Sequence, residues 1–144
     1  MHQLIGAAER GEASSQFNLG VVYANGLDDN NRPVPGRRRD AIKWLTRAAR
    51  QGLPRAQCRL AELYETGGDT LNRDVLAYIW FALAAKNSAG ANRYRAQSGC
   101  ARLSLRLRPA QISATARFIR GWAPTSRDAS TTPELDRISP KKDI

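Results

Sequence analysis

Histidine occurs once in this 144-residue sequence, as His2, and cysteine twice, as Cys58 and Cys100. A single imidazole excludes a metal cluster built on histidines. Two thiols are too few for a disulfide scaffold; they read as free, buried small side chains that would bridge adjacent units only in an oxidising compartment. Acids are scarce, 13 against 23 Lys and Arg, for a net charge of +10. No apolar run approaches the roughly 18 residues that would span a bilayer. The start, "MHQLIGAAERG", lacks a basic n-region and an apolar h-region, so it is not a signal peptide as written. Taken literally, the chain is expected in the cytoplasm. There is no G-x-S-x-G, no P-loop and no Cys/His pairing suited to a nucleophile. Glu62 and Glu65 share a helix but read as a solvated face rather than an acid–base pair. No catalytic residue, cofactor or metal is expected, and the chain reads as a non-enzyme.

What the sequence does have is a repeat. Residues 7–26, "AAERGEASSQFNLGVVYANG", return 41 positions later as "AARQGLPRAQCRLAELYETG". The pairs Ala7/Ala48, Ala8/Ala49, Gly11/Gly52, Gln16/Gln57, Leu19/Leu60, Tyr23/Tyr64 and Gly26/Gly67 coincide. A fixed period of this size marks stacked supersecondary units. Gln16, Leu19, Gly20 and Tyr23 lie on one face at i, i+3, i+4, i+7, as do Gln57, Leu60, Ala61 and Tyr64. The small residue, Gly20 or Ala61, admits a close neighbour, and Gly26 and Gly67 are expected to end their helices in left-handed conformation. A second helix follows in each unit. "DAIKWLTRAA" (40–49) matches "LAYIWFALAA" (76–85), with Trp44 against Trp80. That spacing is 36, the difference being a loop insertion at 27–39.

These motifs, "AA-x-x-G-x(4)-Q-x-x-L-x-x-x-Y-x-x-G … A-x-x-W-x-x-x-AA-x-x-G", resemble the Sel-one-like (Sel1-like) repeat, a relative of the tetratricopeptide repeat, over residues 7–122. The resemblance implies an all-α fold, a right-handed α/α superhelical solenoid of helix–turn–helix units. "LRPAQISATARFIRGW" (107–122) resembles the closing helix of such arrays, with an apolar stripe of Ile112, Ala116, Ile119 and Trp122. Pro109 suits its first position. Arg108 stands where a capping Ser, Thr or Asp is usual, so a frayed start is expected. The third unit is degenerate; Tyr94, Cys100, Ala101 and Leu105 are its expected helical face. The divisions are thus 1–6, remnant of a preceding repeat helix; 7–52, repeat one; 53–88, repeat two; 89–122, degenerate third repeat and closing helix; 123–144, a disordered tail rich in Pro, Ser and Thr. The register places Met1 inside the second helix of a unit, which reads as a truncated member of a longer repeat protein. A start farther upstream with a signal peptide would move the expected location to the periplasm or cell envelope, where related proteins often work.

The resemblance implies a protein-interaction scaffold that holds a partner protein or peptide on the concave side of its stack. Ser14, Phe17 and Val21 of unit one, with Arg55, Cys58 and Glu62 of unit two, are the candidate concave residues. An alternative rests on charge. Residues 37–60 hold eight Lys/Arg against the single acid Asp40, so Arg37, Arg38, Arg39, Lys43, Arg47 and Arg50 form a candidate basic patch for an anionic polymer, nucleic acid or cell-envelope polymer. No aromatic interleaving supports base reading, which disfavours a nucleic-acid partner. Hydrolytic chemistry discussed for some cysteine-rich relatives does not transfer: their regular cysteine pairs and a Ser-x-x-Lys nucleophile are missing here.

Overall fold

Two buried glutamines set the pitch of the stack. Gln16 Nε2 donates to the carbonyl of Ala8 at 3.0 Å, and Gln57 Nε2 to that of Ala49 at 3.1 Å. Each ties the start of one helix to the end of the helix before it, eight residues upstream. Gly11 and Gly52 reverse the chain at these joints with φ of 96° and 94°, values open to glycine at little cost. The computed structural model describes residues 1–27, 30–32, 36–67 and 72–125. Seven helices occupy them: α1 (His2–Glu9), α2 (Ala13–Asn25), α3 (Arg38–Arg50), α4 (Pro54–Thr66), α5 (Arg73–Lys86), α6 (Gly90–Ser104) and α7 (Pro109–Gly121).

Helices α2 and α3 form the first antiparallel pair and α4 and α5 the second, with α3 against α4 and α5 against α6. The expected packing face of α2 is the observed one: Gln16, Leu19 and Gly20 are buried and Tyr23 half-buried. A Cβ on Gly20 would sit 2.6 Å from Leu45 Cγ, so the small residue is what lets α3 come close. Leu45, Leu60, Ile79, Trp80, Phe81, Leu83 and Leu103 form the main core. A smaller cluster of Ala8, Leu19 and Trp44, with Leu4, Ile5 and Tyr23 at its edge, joins α1 to the first unit.

The helix ends correct several sequence expectations. Gly26 closes α2 in left-handed conformation, φ 75°, but Gly67 is extended, φ −93° and ψ 142°. Gly67 instead lies against the Arg38 side chain. A Cβ there would overlap the guanidinium of Arg38, which donates to Leu63 O at 2.5 Å, while Arg73 donates to Gly67 O. Two arginines thus take the carbonyl end of α4, where the helix dipole favours cations. Helix α7 does not start frayed: Gln111 Oε1 accepts the backbone N–H of Arg108 at 2.8 Å. The loop insertion is shorter than 27–39, because Arg38 and Arg39 already belong to α3; residues 28–29 and 33–35 lie outside the described residues.

The third unit differs most. Tyr94 and Leu105 are 74% and 88% exposed, and Ala101 is exposed too, so the face expected from them and Cys100 is not the packing face. Helix α6 packs through Ala96, Gly99, Cys100 and Leu103, the same i, i+3, i+4, i+7 spacing with its residues replaced. A Cβ on Gly99 would lie 2.5 Å from the Phe81 ring, so bulk moved to α5 excludes bulk from α6. Nor does α7 pair with α6 as α5 does with α4. It lies over α5, with Phe118, Ile119 and Trp122 on the main core and Trp122 edge-on to Trp80, ring centroids 6.3 Å apart at 82°. Of the stretch expected as a tail, residues 124 and 125 make contacts with the stack. Pro124 packs on Gly52, and the Thr125 N–H and hydroxyl both donate to Arg50 O, at 2.8 and 3.1 Å. The rest of the expected tail, 126–144, lies outside the described residues.

Candidate interaction surface

The first helices of the first two units, α2 and α4, carry the candidate concave residues. On α2, Ser14 is exposed and Phe17 and Val21 are half-buried. Arg55 of α4 lays its guanidinium over the Phe17 ring, 4.9 Å from the centroid, so these two candidates from different units are brought together. Cys58 is not on the exposed face. It is fully buried, its thiol directed at Asn92 O of α6 at 3.8 Å. Burial pushes the Cys58 and Cys100 thiols up to about 11, which leaves both protonated and poor nucleophiles at neutral pH. Both cysteines are free.

Glu62 stays on the surface, but it faces a partner within the chain. Arg95 of α6 grips it through Nε and Nη2 at 2.5 Å each, and Arg59 of its own helix lies 3.7 Å away. One turn on, Glu65 accepts Nε and Nη2 of Arg102 at 3.0 Å each and lies 3.7 Å from Arg106, which also reaches Asp74 at 3.1 Å. Hydrogen bonding from Arg102 holds the Glu65 carboxyl below its usual range, with partial burial opposing. Arg59 also donates to Asn25 Oδ1 at 2.7 Å, which carries the polar contacts across to α2. Arg59 belongs to the basic run of 37–60, while Arg95, Arg102 and Arg106 lie outside every expected site. Their signal was present as Glu62 and Glu65, three apart on α4, and Arg95 and Arg102, seven apart on α6, but only the stacking of α4 on α6 turns two spacings into pairs.

The sequence cluster of six basic residues does not form one patch. Arg37 pairs with Asp40 at 3.5 Å, and Arg38 reaches away to the end of α4. Arg39 is exposed. Lys43 and Arg47 lie over the buried Trp44 ring, 5.1 and 4.9 Å from its centroid, and Arg50 is 9% exposed. Lys43, Arg47 and Arg50 line a cavity of about 450 Å³ with Thr46. Two smaller hollows of about 280 and 320 Å³ lie between the start of α5 and α7, around Asn72, Val75 and Gln111. Among the described residues no helix is long and apolar enough to cross a membrane.

The stacked helix pairs, the glutamine-anchored joints and the polar ladder across α2, α4 and α6 define an all-α repeat solenoid. Residues 13–53 and 54–88 each match the Sel1 repeat, and the chain belongs to the Sel1 repeat family. Among solved structures it is similar to c5321, a protective antigen of uropathogenic Escherichia coli strains with an SLR fold, at a TM-score of 0.71 and 26% identity. That likeness covers 91% of this chain and 29% of the antigen, so the chain spans under a third of its neighbour's length. No curated protein matches the sequence.

Proposed function

We propose that the chain is a non-catalytic interaction module that holds a peptide segment of a partner protein along α2, α4 and α6. Membership of the Sel1 repeat family, whose members are commonly protein-interaction modules, supports the general reading. The observation that carries the finer one is the Phe17–Arg55 pair, an exposed guanidinium stacked on a half-buried ring across two units. It offers an apolar surface with a fixed cation beside it. A segment combining an acidic side chain with an apolar anchor matches that surface. Glu62 acts here by positioning Arg95 and Arg59, and Cys58 by filling the α4–α6 joint.

Selection of peptides against the folded chain tests this. The expected binders carry acidic and apolar residues together, lose at least tenfold in affinity to Phe17→Ala with Arg55→Ala, and keep most of it at moderate salt. Binders indifferent to that double variant would overturn the groove. Retention of anionic polymers instead, lost steeply with salt, would favour the basic-module reading.

A further inference from the structure

Past α7 the chain comes back to the joint between α3 and α4. Pro124 packs on Gly52, and Thr125 donates twice to Arg50 O. Arg55 follows Gly52 by three residues, so their Cα atoms are within about 11 Å of each other. Phe17 is close to the same joint: Gln51, next to Gly52, donates to Gln16, next to Phe17, at 2.9 Å. Thr125 is therefore anchored within short reach of the Phe17–Arg55 pair. What that pair lacks is an anion. The Arg55 guanidinium lies over the ring, 4.9 Å from its centroid, which covers its face and leaves its N–H edges for a carboxylate. Among the described residues no carboxylate pairs with Arg55, whereas Arg59, Arg95, Arg102 and Arg106 each have one.

Resting on the reading of Phe17 and Arg55 as a peptide-binding surface, we propose that its resident occupant is a segment of this chain, "PELDRI" (133–138), held within the same molecule. Glu134 and Asp136 flank Leu135, which sets an apolar anchor between two carboxylates. Within 126–144 no other large apolar side chain has an acid on both sides. Leu135 covers the Phe17 ring while a carboxylate takes the open edge of Arg55. Leu135 is ten residues past Thr125, and ten residues reach about 33 Å when extended, well beyond the distance to Arg55. A tether this short gives an effective concentration on the order of 1 mM. A segment with a Kd of about 100 µM then fills the surface in roughly nine molecules of ten, and an incoming peptide is weakened about tenfold. A partner has to displace the segment, so the surface answers only to ligands tighter than the chain's own.

The test follows a dye-labelled peptide of residues 130–140 by fluorescence anisotropy as full chain is added. Two chains are compared, the natural one and one carrying Glu134→Gln, Leu135→Ala and Asp136→Asn. The altered chain should bind the peptide about tenfold more tightly, because its surface is open. Adding Arg55→Glu to the altered chain should abolish that binding, and a peptide with Glu134→Lys and Asp136→Lys should restore it. Arg55 is exposed, so this variant leaves the core intact. Equal affinity for the two chains would overturn occupancy within the molecule. So would sedimentation in which the natural chain gains mass with concentration and the altered one does not, since the segment would then sit on a second copy. Binding to neither chain would overturn the proposal alone if selected acidic and apolar peptides still require Phe17 and Arg55. It would remove the peptide-binding surface as well if they do not.

Discussion

The joint that leads into α2 and the joint between α4 and α6 are built from different chemistry. At the first, neutral amides do the joining inside the protein. Gln16 donates to Ala8 O, and Gln51 donates to both Gly11 O and Gln16 Oε1, at 3.0 and 2.9 Å. At the second, the position of Gln16 and Gln57 is taken by Ala96, and the contact is made nearer the surface by Glu62–Arg95 and Glu65–Arg102. The middle joint is intermediate. Gln57 keeps its bond to Ala49 O, but Gln57 Oε1 is buried without a donor. Asn87 follows α5 as Gln51 follows α3; it is one methylene shorter and exposed. Buried neutral hydrogen bonds depend little on salt or pH, whereas surface ion pairs depend on both. The stack should therefore weaken from its third unit when charge is perturbed, and from its first when packing is.

The largest expected effect sharpens the packing side. Trp44→Ala should cost about 3–5 kcal/mol, because it empties the cluster that holds α1 to α2 and α3. Trp122→Ala should cost less, since Trp122 is half-buried and binds one helix over α5. Chemical denaturation monitored by far-ultraviolet dichroism ranks the two, and equal losses would break the contrast. Next comes Gln16→Ala, which removes a donor from the buried Ala8 carbonyl and an acceptor from Gln51, while the Gly11 N–H still reaches Ala8 O and Gln51 Nε2 still reaches Gly11 O. A loss of about 0.5–1.5 kcal/mol is expected, with no change between low and high salt.

Smaller effects examine the charged joint. Glu65→Gln should cost under about 1 kcal/mol at low salt and almost nothing at high salt. The folded carboxyl of Glu65 sits below its unfolded value, so its contribution is present above the usual carboxylate range and is lost as pH falls through the folded value. Hydrogen exchange during acidification should therefore rise in α6 before α2. The thiols act at the opposite end. The unfolded chain releases their protons from near 9 and the folded one near 11, so stability should decline over that interval, and Cys58→Ala with Cys100→Ala should flatten the decline. The smallest change is a repair. Asn87→Gln should add about 0.5–1 kcal/mol if its amide reaches Gln57 Oε1 as Gln51 reaches Gln16; an unchanged midpoint would show that the joints are not equivalent.

Much of the scaffold was legible because repetition doubles each signal. Gln16, Leu19 and Tyr23 recur at the same offset, and a face that appears twice at helical spacing has to pack. The third unit hid its register because Ala96, Gly99 and Cys100 are small; apolar pattern is read from bulk, and here the bulk is Phe81, on the neighbouring helix. The bulky residues of this stretch, Tyr94 and Leu105, face solvent. The interaction surface was less legible still. Phe17 and Arg55 each stand out in the sequence, but their stacking needs the turn of α4 relative to α2. The run of arginines at 37–50 looked like one patch, yet Arg38 caps α4 and Arg37 pairs with Asp40, while Lys43 and Arg47 meet over Trp44.

By itself the sequence determined the helical repeat, its period and the residues at its joints, since these follow from local spacing along one chain. Tertiary structure decided which charges find partners and which helix α7 covers. Both depend on the relative rotation of stacked helices, and a few degrees there select whether a guanidinium meets a carboxylate, a helix end, an aromatic ring or an open cavity.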